Sequence, residues 1–149
     1  MTVTNPEEEA QVRKAIDELT EALRTKNVDQ ISAAYAPETV MYVLAPPLQN
    51  VTGQNAPGAA GVREWLGSFR GPLGYDSRDL HMAVSGDLAL AYRLIHISGT
   101  RTDGNATDLW VRETLGFRQL DGAWKIIHQH QSVPMYMDGS NKAAVDLKP

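Results

Sequence analysis

The sequence predicts an α+β fold, with helices first and an antiparallel sheet after them. Val12, Ile16, Leu19 and Leu23 recur at helical spacing near the start of the chain. From Arg78 onward every segment is strand-like and punctuated by turn signals: Ser85-Gly86-Asp87, Asp103-Gly104 and Asp121-Gly122. Consecutive strands with short turns pair with their neighbours as a meander, which leaves the helices to cover one face of it.

Each element has its own signal. Pro6 followed by Glu7, Glu8 and Glu9 starts a helix, because proline fits the first turn and acids suit the positive end of the helix dipole. That helix spans residues 6–26. Asn27 or Asp29 caps a short second helix carrying Ile31, Ala34 and Tyr35, and Pro37 ends it. Residues 39–44 have strand composition and stop at Pro46-Pro47. Residues 49–61 are polar and glycine-rich, hence a loop. Residues 62–69, with Trp65, Leu66 and Phe69, form a third helix that Gly71-Pro72-Leu73-Gly74 terminates. Strands follow at 78–84, 88–99, 107–120 and 123–133. The chain is expected to be one domain over residues 1–149, with 134–149 as a surface or intersubunit arm.

Composition narrows the function. The chain has 149 residues, 42% of them hydrophobic, enough for a sizeable core. Its formal net charge of −4 argues against a nucleic-acid binder, which needs a basic stripe for phosphates. No apolar run approaches the ~20 residues of a membrane span, so no membrane partner is expected. The acidic N-terminus is the opposite of a signal peptide, and the cytoplasm is the default location. With no cysteine, thiolate metal sites and cysteine nucleophiles are excluded.

The densest chemistry lies in the last hairpin. Strand side chains alternate faces, so His128, His130 and Ser132 share one face. The register of the Asp121-Gly122 turn decides what meets them. A two-residue turn sets Leu115 opposite His128 and turns Arg112 away. A three-residue loop sets Thr114 opposite His128, Arg112 opposite His130 and Trp110 opposite Ser132. The three-residue loop is favoured, because it gathers the polar groups in one place. It also leaves Leu109, Val111, Leu115 and Phe117, with Glu113 in their middle, as an apolar set on the opposite face. That set needs a cover, and a partner subunit would supply one.

The order of elements resembles the NTF2-like superfamily, and the texture looks like its SnoaL-like branch, the ketosteroid-isomerase homologues. The residues that carry the resemblance are Tyr35-Ala36-Pro37-Glu38-Thr39-Val40, Ala45-Pro46-Pro47-Leu48, Gly99-Thr100-Arg101-Thr102-Asp103-Gly104, Trp110-Val111-Arg112, Asp121-Gly122-Ala123-Trp124, His128-Gln129-His130-Gln131-Ser132 and Asp138-Gly139. It covers nearly the whole chain. It implies a cone: N-terminal helices packed on a curved, mixed but mostly antiparallel sheet around a pocket. It further implies a homodimer formed through the outer sheet face. The His-x-His-x-Ser run is also similar to the association domain of calcium/calmodulin-dependent kinases, an oligomerisation module without chemistry. Two departures matter. The family's general-base aspartate aligns with Val43, which cannot take a proton. A family aspartate after the Ser-x-Pro step falls near Tyr136.

The expected site combines these signals. His128 and His130 are candidate acid–base groups, since histidine titrates near neutrality, set against a role as hydrogen-bonded core or interface residues. Tyr42 is a candidate donor to a carbonyl. Arg112 either recognises an acidic ligand group or closes an internal ion pair with Glu38 or Glu113. Trp110, Tyr35, Trp65, Phe69, His96 and Thr114 complete the ligand-binding lining, which suits a flat or cyclic ligand. His81 is read as a surface residue. No metal is expected, because His-x-His lacks an evident third ligand, and no cofactor is expected. The chain therefore reads as a small-molecule pocket protein, a candidate isomerase, cyclase or dehydratase/hydrolase acting on an apolar cyclic ligand with an acidic or carbonyl group. The alternative is a non-catalytic dimerisation or ligand-sensing module.

Overall fold

The computed structural model describes residues 5–56 and 58–149. Helix α1 (Pro6–Arg24) starts where expected: the Asn5 side chain accepts from the Glu7 N–H at 2.9 Å, ahead of the three glutamates. Its apolar stripe, Val12, Ile16 and Leu19, is buried, which stabilises by roughly 1.5–3 kcal/mol per side chain. Helix α2 (Val28–Ala33) is capped by Asn27, whose side chain accepts from the Gln30 N–H at 3.1 Å. Strand β1 (Tyr35–Tyr42) begins earlier than expected, and the supposed loop contains a two-residue strand β2 (Asn50–Val51). Helix α3 (Gly58–Gly67) starts four residues early and stops short of Phe69.

Strands β3 (Phe69–Ser85), β4 (Leu88–Arg101), β5 (Ala106–Leu120) and β6 (Ala123–Ser132) form the expected antiparallel meander. The sheet order is β2-β1-β6-β5-β4-β3, with β1 parallel to β6. The Gly71–Gly74 run does not break the chain. It lies inside the edge strand β3, across a register shift between Arg70 and Gly74. A Cβ at residue 74 would sit 2.0 Å from Ser98 Oγ, so glycine here permits close strand approach rather than ending an element. Pro72 is tolerated because edge strands leave some N–H groups unpaired.

The last hairpin corrects both registers considered for it. Leu120 pairs with Ala123 across a two-residue turn, with φ of 50° at Asp121 and 80° at Gly122. The pairing then slips by one residue: Phe117 faces Ile126 but Gly116 faces His128, leaving Ile127 as the extra residue of a bulge. Thr114 consequently meets His130, and Arg112 meets Ser132. The polar groups do gather on one face, through the bulge rather than through a three-residue loop.

The assignment of faces is the second correction. Val111, Leu115 and Phe117 join Val12, Ile16 and Leu19 in the core, so the apolar set faces the helices. The set containing His128, His130 and Arg112 faces away from them. The cover for the apolar set is this chain's own helical layer, not a partner subunit. No helix among the described residues is long and apolar enough to cross a membrane.

Candidate functional site

The inner face of the sheet carries a buried polar cluster. Strand β4 alternates, turning Ala89, Ala91, Arg93, Ile95 and Ile97 inward. Strand β5 turns Glu113 inward, directly across from Arg93. Arg93 Nε donates to Glu113 Oε1 at 2.9 Å, and Arg93 Nη1 donates to Thr20 Oγ1 on α1 at 2.8 Å. The two side chains are 1% and 0% exposed, so each charge depends on the other. The bulge at Ile127 brings Gln129 and Gln131 inward beside them. Both donate Nε2 hydrogens to Glu113 Oε2, at 2.9 and 2.8 Å. Tyr35 OH donates to Gln129 Oε1 at 2.9 Å, and Gln131 Nε2 lies 3.3 Å from Tyr75 OH. The guanidinium stands 5.9 Å from the centre of the Tyr75 ring. Burial, then the Glu113 charge, pushes both tyrosines well above the ordinary phenol range.

One donor in this cluster is unused. Arg93 Nη2 is buried without a hydrogen-bond partner, a condition shared by Asn50 Nδ2. An unmet buried donor costs about 1–3 kcal/mol, so an acceptor oxygen reaching Arg93 would recover that cost. The charge of Arg93 is already balanced by Glu113. The fitting acceptor is therefore neutral, a carbonyl or hydroxyl oxygen, because a carboxylate would leave a net charge buried.

The outer face holds most of the residues expected in the site. The Tyr42 ring meets His128 and His130 edge-on, with centroids 4.9 and 5.4 Å away. His128 Nδ1 lies 2.8 Å from the Val40 carbonyl, which only accepts, so the proton sits on Nδ1. Arg112 Nε donates to Ser132 Oγ at 3.2 Å, and its neighbour Glu113 is engaged by Arg93 instead. His96 stacks on Trp110 at 4.8 Å, and its Nε2 is 2.6 Å from Asp108 Oδ1. That hydrogen bond holds the Asp108 carboxyl below the usual range. Thr114 lies between Tyr92 and His130 in the pairing. Trp65 and Phe69 form an edge-to-face pair, 5.7 Å apart, where α3 meets β3. Of the expected site residues, only Tyr35 reaches the inner polar cluster.

Arg93, Thr20, Tyr75, Gln129 and Gln131 escaped sequence reasoning. One signal was available: Arg93 interrupts the alternating apolar residues of β4 as Glu113 interrupts those of β5. Two opposite charges on the core face of neighbouring strands identify each other.

The SnoaL-like domain model matches residues 12–136. The chain belongs to the SnoaL-like domain family. No curated protein matches it. An NTF2-like protein of unknown function from Pseudomonas putida KT2440 is similar along nearly its whole length: 28% identity, 99% of this chain and 100% of that chain covered, TM-score 0.85. A candidate dehydratase of the NTF2-like family from Streptomyces avermitilis shares the fold at 17% identity, covering 89% of this chain and 100% of its own, with TM-score 0.75. The calcium/calmodulin-dependent protein kinase II hub of S. rosetta shares it at 20% identity, 83% and 94% coverage and TM-score 0.64. The family's fold is that of a pocket protein, and the inner cluster lies on the sheet face that lines the cone of this SnoaL-like chain.

Proposed function

We propose that this SnoaL-like protein binds a small, largely apolar ligand inside the cone through a carbonyl or hydroxyl oxygen. The unpartnered Nη2 of Arg93 carries the proposal: it is the buried donor that the protein leaves for something else. The Tyr75 ring lies beside the guanidinium, and Leu66, Phe69 and Leu73 belong to the same buried core, whose apolar surface suits a cyclic body. Binding, rather than proton abstraction, is the function this geometry favours. Isomerisation, cyclisation and dehydration each need a group that takes a proton. Val43 stands where the family base aligns, and both Glu113 oxygens already accept from Arg93, Gln129 and Gln131.

The test is native mass spectrometry after exposure to a metabolite extract, with Arg93→Lys and Arg112→Ala alongside. Lysine keeps the charge opposite Glu113 but lacks the Nη2 donor. A neutral carbonyl- or hydroxyl-bearing compound lost in Arg93→Lys and kept in Arg112→Ala supports the reading. Loss in Arg112→Ala alone would move the ligand to the outer face, with Arg112, His128 and His130 as its contacts. No bound compound in any of the proteins would favour the non-catalytic module.

A second reading, compatible with the first, is self-association through the outer face. Leu88, Leu90 and Tyr92 are 42–49% exposed in one row along β4. Asp108 and Arg112 flank Trp110 on β5. A two-fold axis through Trp110, lying between two facing sheets and perpendicular to β5, sets each Asp108 against Arg112 of the other copy. That self-complementary charge pattern fits a second copy of this chain.

A further inference from the structure

We propose that the Tyr75 hydroxyl is a second donor to the ligand's oxygen, beside Arg93 Nη2, and that the pair selects a ketone over an alcohol. The inference rests on the ligand-binding reading given above and narrows it to carbonyl compounds.

The directions of the hydrogen bonds around Glu113 carry it. A carboxylate only accepts. Gln129 and Gln131 approach Glu113 Oε2 at 2.9 and 2.8 Å, so each turns its amide nitrogen toward it and its amide oxygen away. That orientation gives the two tyrosines opposite roles. Gln129 presents its oxygen to Tyr35, whose hydroxyl donates at 2.9 Å and so spends its proton. Gln131 presents its nitrogen to Tyr75 at 3.3 Å, so this hydroxyl can only accept there. Among the described residues no acceptor takes the Tyr75 proton. The residue is 3% exposed, which keeps bulk water from taking it instead. Burial and the Glu113 charge hold that proton on its oxygen well past neutrality.

Two buried donors thus stay open in one cluster. Both are anchored on the same carboxylate: Arg93 directly on Oε1, and Tyr75 through Gln131 on Oε2. The guanidinium carbon stands 5.9 Å from the centre of the Tyr75 ring. The acceptors of the cluster are already engaged. Glu113 and Gln129 serve the donors just named, and Thr20 Oγ1 accepts from Arg93 while donating to the Ile16 carbonyl at 2.8 Å. A carbonyl oxygen has two lone pairs and no proton, so it meets both open donors and brings none of its own. A hydroxyl meets them too, but adds a further donor where donors are already in surplus.

The probes α-tetralone, α-tetralol and tetralin share one bicyclic apolar body and differ only at the oxygen. Isothermal titration calorimetry of the full chain with each probe tests the proposal, in the unaltered protein, Tyr75→Phe and Arg93→Lys, with circular dichroism as a check on folding. The unaltered protein should bind the ketone roughly tenfold more tightly than the alcohol. Tyr75→Phe should weaken the ketone roughly tenfold and leave tetralin unchanged. An undiminished ketone affinity in Tyr75→Phe, or an alcohol bound as tightly as the ketone, overturns the proposal. A ketone still weakened by Arg93→Lys then leaves the broader binding reading standing. No ketone binding, or equal binding in Arg93→Lys, overturns that reading and the proposal together. Should Tyr75→Phe not fold, the infrared carbonyl band of bound α-tetralone decides. In protein labelled with meta-fluorotyrosine, whose more acidic hydroxyl donates more strongly, the band should move to lower wavenumber, and an unmoved band overturns the proposal.

Discussion

At the scale of single residues, the Arg93–Glu113 pair is the most consequential feature. Each charge is buried, and each balances the other through the hydrogen bond from Arg93 Nε to Glu113 Oε1. Removing one member leaves a bare charge in the core, which costs about 3–5 kcal/mol. Arg93→Met should therefore lower unfolding free energy by that amount in urea titrations. Adding Glu113→Gln should cost less than the sum of the two single changes, because the stranded charge is gone. A full additive loss would mean that the two residues act independently. Tyr75 gives a second test through pH. Its folded pKa lies above the unfolded value, so its contribution is intact below about pH 10 and is lost as pH rises above it. There the unfolded state has released a proton that the native state keeps. Stability should fall by about 1.4 kcal/mol per pH unit from this group alone. Tyr75→Phe should flatten the alkaline limb of a stability–pH curve, and an unchanged limb would contradict the assignment.

At the scale of elements, the bulge at Ile127 decides what β6 shows to each side. Before it, Trp124 and Ile126 point to the core; after it, Gln129 and Gln131 do, while His128 and His130 point out. Deleting Ile127 removes the extra residue, so His128 follows Ile126 in unbroken alternation and every other side chain of β6 keeps its face. The deletion variant should keep its near-ultraviolet dichroism and cooperative unfolding, and loss of both would show that the fold depends on the bulge itself. Its position was not legible in the sequence. Ile126-Ile127 offers two similar residues, and alternation gives no sign that one is extra. Helices α1 and α2 were legible, because periodicity and the Asn27 cap are local signals. The start of β3 was not: Gly71, Pro72 and Gly74 carry the same letters whether they break a chain or serve an edge strand, and only the nearness of Ser98 distinguishes the cases.

At the scale of the whole molecule, the strand alternation separated two sets of residues correctly but could not say which one the helices cover. An apolar set containing a glutamate and an aromatic-histidine set both make acceptable outer faces. The choice was made by Arg93, on the strand beside the Trp110-Val111-Arg112 motif, because its charge neutralises Glu113 and lets the apolar set close over it. The α+β fold and the SnoaL-like family were therefore readable from the chain, while the interior polar cluster required the pairing of β4 with β5. The same topology governs how the molecule is assembled. Val40 and His128, partners in the parallel pairing of β1 with β6, are 88 residues apart. On a ribosome adding ~5–20 residues per second, β1 waits roughly 4–18 s for its neighbour. The three hairpin pairings of β3 through β6 are local by comparison and can form in microseconds once each strand exists. For those seconds β1 has only the two-residue β2 beside it, with its long edge open, so the chain's hazard during synthesis lies at its beginning, while its remedy is encoded at the end.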